Sequence, residues 1–172
     1  MGQTDNKLNA EISLAIDLDR NTSAQSSAKQ SGGFDADWSV ISVHDGDTIR
    51  VRQGNRTERI RFACIDAPEL KQPLGRDSGD HLKQLIANSG NRVALNLIST
   101  DRYGRQVAEV FVNGQLVQSQ QVSNGMAYVY HKYLSDCPSA DIVRLAEQQA
   151  KQKKVGVWLG NHQTPWAFRK RK

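Results

Sequence analysis

The stretch that decides the fold runs from Trp38 to Ile65, "WSVISVHDGDTIRVRQGNRTERIRFACI". "WSVISV" (38–43), "TIRVRQ" (48–53) and "TERIRFACI" (57–65) alternate or carry Val, Ile and Phe, the signature of β-strands. Between the first two stand Asp45, Gly46, Asp47 and Thr48. Strands disfavour Asp and Gly, so this cluster is a turn, and it brings two carboxylates together between β-forming runs. Gly54-Asn55 is the turn between the second and third runs. Working outward, "RVALNLI" (92–98) and "QVAEVFV" (106–112) complete five strands.

Helical patterns interrupt and follow them. In "RDSGDHLKQLIANSG" (76–90), Leu82, Leu85 and Ile86 share a face and Gly90 stops the run. "QLVQSQQVSNG" (115–125) places Leu116, Val117 and Val122 near one face. "SADIVRLAEQQAKQKK" (139–154) starts at a Ser139 N-cap and puts Ile142, Leu145 and Ala146 on one face. The expectation is an α+β fold, mainly β: a five-stranded OB-type barrel with about three helices.

The chain of 172 residues divides into a polar N-terminal segment over 1–36, one domain over 37–160 and a basic tail over 161–172. "NTSAQSSAKQSGG" (21–33) reads as a flexible linker, and "EISLAIDL" (11–18) before it as a short apolar patch. The net charge of +5 is uneven, −2 over residues 1–36 and +7 over the rest. A basic folded part favours anionic partners, whether nucleic acid, an anionic membrane surface or other phosphates, and a merely solubilising surface charge is the plainer alternative. No run of about 18 apolar residues is present, so no membrane span is expected. The N-terminus lacks the basic and apolar regions of a signal peptide. The compartment stays open between the cytoplasm and, if the N-terminus was processed, the outside of the cell. Cys64 and Cys137 have no CxxC partner, which argues against zinc. Whether they are two buried thiols or a disulfide is open.

The acidic residues point to a hard cation. Asp47 sits at a turn, and Asp66 ends the third strand just before Ala67-Pro68. A residue before proline is held extended, which gives the Ala67 carbonyl a defined direction. Two carboxylates and a carbonyl are oxygen ligands that suit Ca²⁺ or Mg²⁺ and leave room for water and a phosphate. Glu69, three residues after Asp66, is placed to orient or deprotonate a water, or else "DAPE" is only a capping turn. Alternation puts Arg61, Ala63 and Ile65 on one face. An arginine pointing into a small barrel needs a partner, and a phosphodiester would serve; a solvent-facing Arg61 is the plainer alternative. In "DRYGR" (101–105), Gly104 lets the chain reverse and Arg105 opens the next strand. Two arginines can clamp a phosphoryl group in a way lysines cannot. Tyr103 is either a base-stacking residue or a barrel-edge aromatic.

These clusters together resemble the thermonuclease family, the staphylococcal-nuclease-like domain. The matching segments are "DGDT" (45–48), "IRFACIDAPE" (60–69), "DRYGR" (101–105), "NGMAYVY" (124–130) and "AEQQAKQKKVGVW" (146–158), over roughly Trp38 to Trp158. The resemblance implies Ca²⁺-dependent hydrolysis of DNA and RNA, with single strands preferred, by a monomer. It implies cleavage of the bond to the 5′ oxygen, leaving 3′-phosphates. Asp47 and Asp66 would ligate Ca²⁺ by side chain and Ala67 by its carbonyl. Glu69 would be the general base, and Arg61 and Arg105 would bind the phosphate and stabilise the transition state. Arg102, Tyr103 and Tyr133 would contact the substrate. Two departures stand out. Ala67 replaces a threonine of the staphylococcal enzyme, and "LKQPLGRDSG" (70–79) is shorter than that enzyme's lysine-bearing loop, which leaves open whether Lys71 takes over its phosphate contact and which substrate is preferred. A binding module without catalysis is the competing class, and its mark would be loss of these carboxylates or arginines. The tail "RKRK" (169–172) is expected to add non-specific affinity for a nucleic-acid backbone.

Overall fold

The computed structural model describes residues 35–171. The polar segment expected over 1–36 therefore lies outside the described residues except for its last two. The first strand, β1, spans Asp35–Asp45 and pairs antiparallel with β2, Thr48–Gln53. β2 pairs antiparallel with β3, Arg56–Phe62, across the expected Gly54-Asn55 turn, where Gly54 has φ +57°. β5, Arg92–Thr100, lies on the other side of β1, and β6, Gln106–Val112, pairs with β5. β6 then runs parallel to β3, with Ile60 opposite Gln106 and Arg61 opposite Val107. That last pairing closes five strands into a barrel, as the alternation in the sequence predicts, and a closed barrel leaves no edge among them.

The barrel interior holds Ile49, Val51, Ile60, Leu95, Ala108 and Val110, each at most 1% exposed. Helix α1, Gly75–Ala87, buries Leu82 and Ile86, as its spacing requires. β7 (Gln115–Leu116) extends the sheet beyond β6, and helix α2 (Val117–Ser123) follows it. Gln118 lies buried on α2. It accepts the Val110 N–H at 3.1 Å and donates to the Ala108 carbonyl at 3.0 Å, so the helix completes the hydrogen bonding of β6.

Two expectations need correction. The run to Ile65 is not one strand. β3 ends at Phe62, and a separate two-residue strand, β4 (Ile65–Asp66), pairs with β8 (Tyr128–Val129). The break falls at Cys64, whose φ is +72°. Its carbonyl accepts the Tyr130 N–H at 2.8 Å, and its sulfur is bonded to Cys137. Ala63, Cys64 and Ile65 are consecutive and all buried, so no alternation survives there. The second correction concerns helix α3, Ala140–Lys153. Ile142 and Leu145 are exposed, and the buried stripe is Val143, Ala146, Glu147 and Ala150. Glu147 turns inward because its carboxylate accepts the Val129 N–H at 3.2 Å and pairs with Lys151 at 2.8 Å. Ser139 does precede α3, but without a side-chain cap. A fourth helix, α4 (Pro165–Arg169), follows the three that the sequence pattern shows. No helix among the described residues is long and apolar enough to cross a membrane.

Two measurements test what holds this fold. The Cys64–Cys137 bond spans 73 residues, and a loop that long stabilises by up to about 4 kcal/mol through chain entropy. Reduction is therefore expected to lower the urea midpoint by a corresponding amount, without changing the spectrum of the native state before unfolding begins. At Gly46, an added Cβ would lie 1.7 Å from Ser78 Oγ and 2.8 Å from Ala67 Cβ. Gly46→Ala is expected to cost about 2–3 kcal/mol in urea unfolding, with part of the loss recovered by adding Ser78→Gly.

Candidate active site

The site is built from the β1–β2 turn upward. Asp45 ends β1 opposite Thr48, leaving Gly46 and Asp47 as a two-residue hairpin turn. The Asp47 N–H donates to Asp45 Oδ1 at 3.1 Å, a local bond that short acidic side chains favour in turns. Helix α1 presses on this turn through Ser78, at the close approach that only glycine permits at position 46. Gln121 of α2, fully buried, donates to the Gly46 carbonyl at 2.7 Å and to that of Ser78 at 3.2 Å. Its Oε1 meets His81 Nδ1 of α1.

The turn delivers Asp47 against Asp66. Asp47 is 5% exposed and Asp66 1%. Asp47 Oδ1 accepts from Thr48 Oγ1 at 3.1 Å, and Oδ2 accepts the Ala67 N–H at 2.6 Å. Arg61 lies between the two acids, with Nη1 3.0 Å from Asp47 Oδ2 and Nη2 2.8 Å from Asp66 Oδ1. Ile60 and Phe62 take the buried face of β3, so Arg61 lies on the other face, not inside the barrel, and has two carboxylate partners within the chain. Asp45 belongs to the same cluster, although the spacing argument singles out only Asp47. Burial first, then the neighbouring Asp47 carboxylate, push the Asp45 carboxyl up to about 7. Burial also raises Asp66, against the opposing pull of Arg169 and Arg61.

Glu69 is held by its backbone. Its N–H donates to Gln72 Oε1 at 2.9 Å, and its carbonyl accepts the Gln72 N–H at 2.7 Å. Gly75 is forced here, since a Cβ would lie 2.0 Å from the Glu69 carbonyl oxygen. Lys71, exposed, lines a hollow of about 170 Å³ together with His44, Asp45, Glu69 and Arg169. Arg105 stands at the start of β6. Its Nε bonds Asp101 Oδ2 at 2.7 Å and its guanidinium lies 5.6 Å from the Tyr103 ring. The structure gives it no contact with Asp47 or Asp66. Arg102 bonds the Tyr103 hydroxyl at 2.6 Å, and Tyr103 is 65% exposed. Tyr133 is half-exposed and meets Tyr130 edge-on at 5.2 Å.

Two participants escape the sequence argument. Gln72 ties the Glu69 turn to the chain near its end by donating to the Gln163 carbonyl at 2.8 Å. Arg169 reaches the acids themselves: Nη2 is 2.7 Å from Asp66 Oδ2, and Nη1 is 3.1 Å from Asp66 Oδ1 and 2.8 Å from Glu69 Oε1. The stretch "RKRK" therefore separates into Arg169 at the site and Lys170 and Arg171 on the exposed surface.

The donor chemistry of this cluster fits Ca²⁺. Asp47, Asp66 and the Ala67 carbonyl supply only oxygen, and the carboxylates of Asp45 and Glu69 stand beside them. The other grouping that could suggest a metal, Cys64, Cys137 and Glu109, is accounted for otherwise: the cysteines are a disulfide, and Glu109 accepts from the Ser139 N–H and Asn96.

Comparison with known proteins shows the family. The family model described as staphylococcal nuclease homologue matches residues 59–160, which include Arg61, Asp66, Ala67, Glu69 and Arg105. A protein of Escherichia coli O157:H7 named uncharacterized endonuclease is 38% identical over 135 residues, 77% of this chain and 84% of that protein. Endonuclease YncB of Bacillus subtilis is 37% identical over 123 residues, 66% of this chain and 57% of its own length. Staphylococcal-like nuclease CAN1 of Arabidopsis thaliana is 36% identical over 115 residues, 66% of this chain but 34% of that protein. With more than half of its length matched by the family model, on a barrel of the expected topology, the chain belongs to the staphylococcal nuclease homologue family.

Proposed function

We propose that this nuclease, a hydrolase acting on nucleic acids, is Ca²⁺-dependent and cleaves phosphodiester bonds of DNA and RNA at the 5′ oxygen, leaving 3′-phosphates. The observation that carries the reading is the buried pair Asp47 and Asp66 spanned by Arg61, with Glu69 beside it. The side chains of Asp47 and Asp66 and the carbonyl of Ala67 would hold the ion. When bound, Ca²⁺ supplies a positive centre that draws a phosphodiester oxygen and offsets charge in the transition state.

The rest follows from the chain's own groups. Glu69 takes a proton from a water as the water oxygen bonds to phosphorus. The bond from phosphorus to the 5′ oxygen breaks, and that oxygen takes a proton from solvent. Arg61 gives up part of its pairing with the acids to donate to a phosphate oxygen. Arg105 exchanges Asp101 for a second phosphate oxygen, and its planar fork is suited to the charge that develops there. Exposed Tyr103 and Tyr133, with Arg102, support a preference for single strands, whose unpaired bases offer faces for stacking. A monomer is the proposed state. The disulfide supports folding in an oxidising, extracytoplasmic compartment.

The test is cleavage of labelled single-stranded DNA with Ca²⁺, Mg²⁺ or chelator. Cutting is expected with Ca²⁺ and none with chelator, and Asp47→Ala is expected to abolish it. Tight oligonucleotide binding without cutting under any of these conditions would replace the enzyme reading with a binding module. Glu69→Gln and Arg105→Lys are each expected to lower kcat by about 10²- to 10⁴-fold while the circular dichroism spectrum is unchanged. Near-normal turnover in either variant would remove the role given to that residue.

A further inference from the structure

The last described residues place a cation where the proposed metal acts. Arg169 engages both carboxylate oxygens of Asp66 and one of Glu69. A carboxylate gripped in this way by both arms of a guanidinium has its best lone-pair directions taken. Arg61 also holds Asp66 Oδ1, so a calcium ion, with oxygen bonds of about 2.3–2.6 Å, would be a third cation at one carboxylate and would compete with Arg169 for the same directions. Asp66 can therefore serve Arg169 or the metal, but not both.

The segment carrying Arg169 is seated. Pro165, the first residue of α4, is buried. Trp166 stacks on Tyr130, with centroids 5.6 Å apart and planes at 10°, and meets Tyr128 edge-on at 5.6 Å. Gln72 bonds the Gln163 carbonyl with one end of its amide and the Glu69 N–H with the other. The strap is thus fastened to the same turn that carries Glu69. The fastening is light at its far end. α4 has five residues, and the Arg169 side chain is 40% exposed, so its ion pairs are open to water and easily exchanged.

We propose that residues 163–169 form an inhibitory strap whose Arg169 occupies the place of the divalent cation at Asp66 and Glu69, so that metal binding and strap release are one exchange. This inference rests on the metal site assigned above. Because coupling between two ligands of one site is reciprocal, Ca²⁺ loosens the strap to the extent that the strap weakens Ca²⁺.

Two readouts test it without reference to activity. Calorimetric titration with Ca²⁺ is expected to show about tenfold tighter binding for Arg169→Ala than for the wild type, within the usual range of coupling. Trp166→Ala, which removes the stacking anchor and leaves every charge in place, is expected to move affinity the same way by less. Hydrogen exchange of the wild type is expected to quicken at residues 165–171 on saturation with Ca²⁺. Equal or weaker Ca²⁺ binding by Arg169→Ala, or exchange at 165–171 that slows or stays constant, overturns the strap while leaving the metal site intact. Absence of Ca²⁺ binding in both wild type and variant overturns the metal site, and the strap with it.

Discussion

Asp47 and Asp66 are both almost fully withdrawn from water around one guanidinium, a placement in which two negative charges would be prohibitive without a cation. Arg61 makes it tolerable. It rises from β3, the strand between the two acids in sequence, and touches one with each arm of its guanidinium. A lysine at this position would offer a point charge without the planar fork whose two arms here meet one acid each. The barrel closure of β3 on β6 fixes where that arginine emerges, and the β1–β2 turn fixes what it meets. The remaining features of the site follow from satisfying this one buried triad.

The scaffold around the triad is tight in places where a site needs position and loose where it needs access. Gly46 admits Ser78 and Ala67 to the turn, and Gln121 anchors the turn's carbonyl from α2. Gly75 and Gln72 do the same for the backbone of Glu69. By contrast Arg102 and Tyr103 stand in solvent on the β5–β6 turn, and Arg105 is held there by Asp101 and the Tyr103 ring. Buried groups are fixed by bonds that cannot be traded for water, whereas the exposed ones exchange partners at little cost. A polyanion can thus enter from the exposed side without disturbing the acids that would meet the metal.

Much of this was legible because its causes are local. Alternation of Val and Ile with polar residues sets β2 and β6, and Asp-Gly-Asp-Thr and Gly-Asn are turn chemistry within a few residues. Asp47, Arg61, Asp66 and Glu69 lie within one short stretch of sequence, and the structure brings them into one cluster through Arg61 and Arg169. What escaped is set by distant partners. The break at Cys64 depends on Cys137, 73 residues away, and on Tyr130. The inward face of α3 was misread because a glutamate counts as polar until its buried acceptor role, for the Val129 N–H, is known. Arg169 is one of four adjacent basic residues, and nothing in that run shows which of them finds Asp66, 103 positions upstream.

That distant pair changes how affinity at the site is to be understood. Asp47, Asp66 and Glu69 have between them two guanidinium groups, Arg61 and Arg169, so the cluster is largely compensated within the chain. An empty acidic site would draw any cation by its full field. A compensated one draws a cation only by the difference between what arrives and what leaves. Arg61 is buried, bridges two acids and stays; Arg169 is partly exposed, lies at the end of a five-residue helix and can leave. In the proposed exchange, a divalent ion taking its place would bring one more positive charge to a cluster with more carboxylates than guanidinium groups. A monovalent ion brings no such gain and forfeits the two-armed grip. Selection for charge two over charge one would then follow from the proposed exchange itself, over and above the oxygen donors that any hard-cation site would offer.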